Sequence, residues 1–211
     1  MTKTELYSHK NLENTSLFAE LAPHQYTAFN NFASNCFEAG ALSLKDKELI
    51  AVCCAHTLKC AYCIEYHVRL AQKAKASEKQ ISEAAWLGAG SAALNAFTDL
   101  EATNGWLEKE SNCSQADNHT NHRDKYNSYK IFLRNCHMHT SDQNLAMLSI
   151  NASLMTLGAK RSLIDSILKE AKNAGCSNDS IIESCFIAVE MAAGACFGHS
   201  GQTASILDES A

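Results

Sequence analysis

Shifted by 100 positions, the chain lies over itself. Tyr26 falls on Tyr126, Phe32 on Phe132, and Asn35-Cys36 on Asn135-Cys136. Further on, Ile64 falls on Ile164, Ala71 on Ala171, Ser77 on Ser177, and Ile81 and Glu83 on Ile181 and Glu183. Ala92-Ala93 and Phe97 fall on Ala192-Ala193 and Phe197. The apolar pattern agrees between these identities. Self-similarity at a fixed offset marks a repeated structural unit whose copies bury their apolar faces together. The copies run over about 23–97 and 123–197, so the fold has to be one that two tandem units can build.

Each unit reads as helical. One proline and nine glycines in 211 residues leave few breaks, and Ala, Leu, Lys, Glu and Ser fill the periodic stretches. Pro23 suits a first helical turn, where its missing N–H costs nothing. Tyr26, Phe29, Phe32, Ala33 and Phe37 then follow helical spacing until Gly40. Ser43, with Asp46 three positions on, predicts an N-cap for a helix from about Leu44 to Lys59. Another helix runs from Cys60 through Ala74, and Ser77 caps one that reaches Phe97. Its small residues, Gly88 to Ala93, let a neighbouring helix come close. The expectation is an all-α, duplicated helical fold. Residues 1–22 are a lead-in, 23–98 the first repeat, 99–122 a polar linker, 123–200 the second repeat and 201–211 a tail.

A net charge of −5 argues against nucleic acid or an anionic membrane as a partner. The polar N-terminus has no apolar signal region, and no run approaches the roughly 18 apolar residues of a membrane span. Ten unevenly spaced cysteines fit a reducing cytoplasm in which most thiols stay free.

Chemistry concentrates in the first unit. Glu48 is followed after eleven residues by Cys60-Ala61-Tyr62-Cys63 and then, after three more, by His67. Cys63 and His67, four apart, share a helix face, so the imidazole can take the thiol proton. If a helix begins at Cys60, its free amides and dipole stabilise a thiolate there. A carboxylate folded back from the preceding helix orients the imidazole and holds its charge. The second unit carries Leu148, Lys160, Leu163 and Ile167 at the same four places, a scaffold without the chemistry.

Plainer readings compete. Two cysteines on an apolar helix can be small core residues. His56, Cys60, Cys63 and His67 can be read as a zinc set, but on one straight helix they span about 16 Å, too far for one tetrahedral ion. Only a sharp break near Lys59 would gather them. A thioredoxin-type site needs a preceding strand, and none is visible. Cys136-His137-Met138-His139 reads as a helix end. His119 and His122 read as solvated linker residues, Cys113 as an adventitious thiol in the linker, and Cys53 and Cys54 as core.

Glu48-x11-Cys60-Ala-Tyr-Cys63-x3-His67, set behind Leu44-Lys-Asp-Lys-Glu-Leu-Ile-Ala and followed by the Ser77-to-Phe97 helix, resembles the alkylhydroperoxidase D family. That family belongs to the carboxymuconolactone decarboxylase-like superfamily. The resemblance covers about Leu21 to Phe97. It implies an all-helical trimer or hexamer that reduces organic hydroperoxides without a cofactor or metal. By position Cys63 is then the peroxidatic thiol, Cys60 resolves it to a disulfide, and Glu48 and His67 belong to a proton relay. A dithiol of the lipoamide or thioredoxin type restores the pair. Tyr62 replaces a histidine of the best-known members, which shortens the relay; Tyr62 and His56 are auxiliary candidates. The alternatives are a protein disulfide reductase and a redox-sensing or zinc-binding helical oligomer.

Overall fold

The computed structural model describes residues 15–111 and 122–208, and every regular element among them is a helix. In order these are α1 (Thr15–Leu21), α2 (Pro23–Phe37), α3 (Leu44–Leu58), α4 (Ala61–Lys73), α5 (Glu78–Ser111), α6 (Arg123–Met138), α7 (Gln143–Thr156), α8 (Arg161–Asn173), α9 (Asn178–Gly198) and α10 (Ser200–Asp208).

Capping chemistry sets the helix starts. Pro23 opens α2, where a residue without an N–H loses nothing. The Ser43 Oγ accepts from the Asp46 amide at 3.2 Å, and the Asp142 carboxylate does the same for Leu145 at 3.0 Å. Ser77 and Ser177 repeat the device ahead of α5 and α9.

At the centre α3 crosses α7, and both are buried nearly end to end. The Cys53 Sγ and Ser153 Oγ lie 2.9 Å apart across that crossing. The small-residue stretch of α5 does what its composition implies: a Cβ at Gly88 would stand 2.7 Å from the Cys53 carbonyl. Around this centre the halves exchange partners. Helix α2 packs on α9, while α6 packs on α5. The Glu183 carboxylate on α9 accepts from the Ala41 and Leu42 amides at 2.6 and 3.0 Å. Glu83 on α5 accepts from the Ser141 amide and hydroxyl at 3.0 and 2.9 Å. A Cβ at Gly40 would run into the Glu183 carboxylate. The Lys47 ammonium is also buried there, donating to the Cys36 and Glu38 carbonyls and lying 3.0 Å from Glu183. Burial alone would push the Glu183 carboxyl up, but the two amides and Lys47 hold it below the usual carboxylate range.

The structure departs from the sequence reading in three places. The polar stretch from residue 98 is not a linker as far as Ser111, because α5 continues through it. It contains no proline and a single glycine, Gly105, and Asn104 is buried with its amide donating to the Tyr126 hydroxyl at 2.5 Å. Residues 112–121, with Cys113 and His119, lie outside the described residues. The expected tail from 201 is largely helical to Asp208, with Ala204 buried and α10 packed on α1 and α9. Finally, Asn178–Leu207 is long and apolar enough to cross a membrane by length and composition, with a mean hydropathy of 1.6. Counting uninterrupted apolar residues missed it, because Glu183 and Glu190 break the run. One face of it, with Ile187, Ala188 and Met191, belongs to the core.

Helix α3 stops at a left-handed residue, Lys59, with φ of 57°. Its amide donates to the His56 carbonyl at 3.1 Å, and the Cys60 amide donates to Ala55 at 3.2 Å, the pairing of a Schellman turn. Lys75 repeats this left-handed backbone between α4 and α5, and the second half has Gly158 and Gly175 in its two turns, with φ of 64° and 94°. Lys59→Gly is therefore expected to stabilise the fold by about 1 kcal/mol, since a left-handed L residue costs roughly 1–2 kcal/mol and glycine returns part of that as chain entropy. Urea denaturation reads the change, and a loss of stability would mean that the lysine side chain itself holds the turn.

Candidate functional site

The left-handed turn at Lys59 makes Cys60 the N-cap of α4. Its backbone is extended (φ −89°, ψ 100°), and its Sγ accepts from the Cys63 amide at 3.2 Å. The Cys60 and Cys63 sulfurs are 2.17 Å apart, a bonded pair. Cys60 is 1% exposed and Cys63 7%. Of the two, Cys63 alone lines the adjoining cavity. A small molecule entering there meets that sulfur first.

The same turn folds α4 back along α3, so that residues from both helices meet. The His67 Nδ1 lies 2.8 Å from the Glu48 Oε2, with both side chains buried. With Nδ1–H donating to the carboxylate, Nε2 is left as the basic nitrogen. Phe37 stacks on the imidazole at 5.5 Å between centroids, and Tyr66 meets it edge-on at 5.1 Å. Two aromatic rings and one hydrogen bond leave the imidazole little freedom to turn.

The cavity holds about 530 Å³. Phe29 and Phe37 come from α2, Leu70 from α4, and Met191 and Phe197 from α9. None of its lining residues is a lysine or arginine. Glu190, also on α9, enters it as a second carboxylic acid beside Glu48. Burial raises the Glu190 carboxyl most, His67 pulls it back, and Glu48 raises it further, leaving it above the usual range. At the far side, a Cβ on Gly198 would lie 3.9 Å from each sulfur and 3.5 Å from the Tyr62 Cβ.

The structure thus gathers Glu48, Cys60, Cys63 and His67 in one place and puts Tyr62 on the cavity wall, edge-on to His199 at 5.2 Å. His56 does not line the cavity. Its Nδ1 lies 2.9 Å from the Val52 carbonyl, and its Cβ packs where α5 crosses at Gly88. The break near Lys59 exists. Among the described residues no three His, Cys, Asp or Glu side chains are grouped to hold a metal ion. Cys53 and Cys54 are core residues. Burial pushes the Cys53 thiol up to about 12, against a lowering by Ser153, and puts Cys54 well above its ordinary value. His137, at the end of α6, is held below its ordinary range by burial.

Sequence reasoning missed Glu190 and the α9 wall. The available signal was a single acid inside Phe186-Ile-Ala-Val-Glu190-Met-Ala-Ala-Gly194, since charged residues are seldom buried without a reason.

Residues 23–102 match the Carboxymuconolactone decarboxylase family. The resemblance read from the Glu48-to-His67 pattern is borne out at that level, because this family takes in the alkylhydroperoxidase D-like proteins. Over 62 residues the chain is also 44% identical to a Paracoccus denitrificans protein named "Uncharacterized protein 4 in cox locus". That match takes in 29% of this chain and 56% of the relative, so the chain spans little more than half of the relative's length. No solved structure matches the chain.

Gly198 controls how close anything can come to the sulfurs from α9. Gly198→Ala should fit, since its Cβ contacts are ordinary ones, and should stabilise the helix by about 0.5–1 kcal/mol. Gly198→Val should lie over the disulfide and slow its reduction by dithiothreitol by about tenfold, through access alone. A thiol-release time course checks this, and equal rates in both variants and wild type would place the route to the sulfurs elsewhere.

Proposed function

We propose that this chain is a thiol-dependent peroxidase that reduces apolar hydroperoxides through a Cys60/Cys63 dithiol–disulfide cycle. One observation carries the reading. A sulfur pair at bonding distance opens, through Cys63, onto an apolar cavity that also holds a buried imidazole–carboxylate pair. A buried dithiol with a base and its orienting acid is the equipment that sulfenic-acid chemistry needs, and the cavity has room for an organic substituent on the peroxide. The family match covers such enzymes.

In the reduced enzyme His67 Nε2 takes the Cys63 proton while Glu48 holds the resulting imidazolium. The thiolate attacks the distal peroxide oxygen. The S–O bond forms, the O–O bond breaks, and the electron pair goes to the departing alkoxide, which is protonated to the alcohol. Cys60 then attacks the Cys63 sulfur, the disulfide forms and water leaves. At the N-cap, the Cys63 amide that bonds the Cys60 sulfur supports that sulfur as a thiolate. A dithiol donor of the lipoamide or thioredoxin type closes the cycle by two thiol–disulfide exchanges.

The reading extends to the chain's organisation. Helix starts at 23, 44, 61 and 78 are followed by starts at 123, 143, 161 and 178, which supports a duplicated unit whose second copy has lost the site. Ile182, Phe186 and Val189 on α9, each more than half exposed, supply an apolar stripe that suits self-association into a trimer or hexamer.

The test compares wild type with Cys63→Ser and Cys60→Ser, using an organic hydroperoxide and a dithiol reductant. Wild type should consume peroxide while two thiols become one disulfide. Cys63→Ser should fall to the background rate, and Cys60→Ser should stop after one equivalent with a trappable sulfenic acid. Full activity in Cys63→Ser would reverse the roles of the two cysteines. Turnover of a protein disulfide without turnover of peroxide would make the chain a reductase instead.

A further inference from the structure

Glu190 reaches from α9 into the cavity that Cys63, His67 and Glu48 line. It is 6% exposed, and its Oε2 has no hydrogen-bond partner among the described residues. A buried polar atom left unpaired costs about 1–3 kcal/mol, so its presence here calls for a use. The helical scaffold does not impose it. The position 100 residues earlier is Gly90, where a Cβ would meet the Cys136 Cβ and His137 Nε2 at 3.0 and 3.1 Å. On α9 itself the small residue is one turn further on: a Cβ at Gly194 would stand 3.2 Å from the Glu190 Oε1.

The surroundings define what such a carboxyl can do. Glu48 and Cys54 face it from α3, His67, Tyr66 and Cys63 from α4, and Cys36 from α2. Burial raises Cys36, Cys54 and Tyr66 first, and the Glu190 charge raises each further. Glu48 is already committed to His67 Nδ1, and Tyr66 is 58% exposed. Glu190 is the acid in the cavity whose oxygen is not spoken for. Burial and the neighbouring Glu48 keep its proton in place above the pH at which an ordinary glutamic acid loses it.

We propose that Glu190 is a catalytic acid that gives its proton to the oxygen leaving the hydroperoxide, an assignment that rests on the peroxidase reading above. As the Cys63 thiolate bonds to the distal oxygen, the O–O bond breaks and its electron pair moves to the proximal oxygen. That oxygen takes the Glu190 proton and departs as the alcohol. The sulfur loses two electrons and the peroxide gains them. Glu190, now ionised beside the imidazolium of His67, takes back the proton that His67 removed from Cys63. The net change is thiol plus hydroperoxide to sulfenic acid plus alcohol, with both protons accounted for. Lining residues without a lysine or arginine leave the departing oxygen to an acid rather than to a fixed cation.

The experiment is single-turnover oxidation of Cys63 by an organic hydroperoxide, followed by thiol alkylation, across pH, in the full chain and in Glu190→Gln and Glu190→Asp. Glu190→Gln keeps the shape and removes the proton. It should slow Cys63 oxidation by about 10²-fold on the acid side of the raised Glu190 pKa, and Glu190→Asp should recover part of the rate. In wild type the rate should fall as pH rises through the raised Glu190 pKa, a limb that Glu190→Gln should lack. A Gln variant within twofold of wild type, with the same alkaline limb, overturns the assignment. Infrared difference spectra of wild type minus Glu190→Gln separate this from the peroxidase reading. A protonated-carboxyl carbonyl band that persists above the pH at which an ordinary glutamic acid ionises is required whether or not peroxide is the substrate. Its absence overturns the proposal even if the enzyme turns over, whereas a band without Cys63 oxidation in wild type overturns the proposed substrate and this catalytic role with it.

Discussion

The reversal at Lys59 is the constraint on which the site depends. A single residue in the left-handed region ends α3 and sends α4 back along it. Glu48 lies 11 residues before the turn and His67 eight after it, about 16 Å and 12 Å along their helices at 1.5 Å per residue. In an antiparallel pair such positions come level, and the imidazole and carboxylate meet at 2.8 Å. The same turn leaves Cys60 with extended backbone at the head of α4, where the Cys63 amide points at its sulfur. One backbone event thus sets the sulfur pair and the acid–base pair together.

Burying that pair is expensive. Taking a carboxylate and an imidazole out of water costs several kcal/mol per ion unless geometry and neighbours compensate. Here the compensation is a short hydrogen bond beside two aromatic rings, with Phe37 stacked and Tyr66 edge-on. A second carboxylate in the same space would be unfavourable. The raised Glu190 carboxyl is the physical response, chiefly to burial and further to the Glu48 charge beside it, against a lowering by His67.

The halves of the chain divide the work by exchanging helices. Because α2 packs on α9 and α6 on α5, the cavity is walled by residues far apart in sequence. The loops at 41–42 and 141 are pinned by Glu183 and Glu83 of the opposite half. The second half has Leu148 and Leu163 packed into the core where the first has Glu48 and Cys63, yet it furnishes Glu190, Met191, Phe197 and Gly198 to the cavity. Without the motif, it still takes a direct part in the cavity.

Local chemistry made much of this visible in the one-dimensional pattern. Pro23, Ser43 with Asp46, and Ser77 act on amides within a few residues of themselves, so the helix starts could be read directly. Spacing placed Cys63 and His67 on one face, and the paired helices needed only Glu48 to fold back. The pattern misjudged residues 99–111, where polarity was taken for a linker although α5 runs on through them and Asn104 finds a buried partner in Tyr126. It also kept His56 as an auxiliary, because sequence spacing does not say which way a helix is rotated at its crossing with α5. The cavity, its apolar wall and Glu190 belonged to tertiary structure alone. Contacts between α2, α4 and α9 join residues more than a hundred positions apart, and burial, which shifts that carboxyl, exists only once those helices have closed over it.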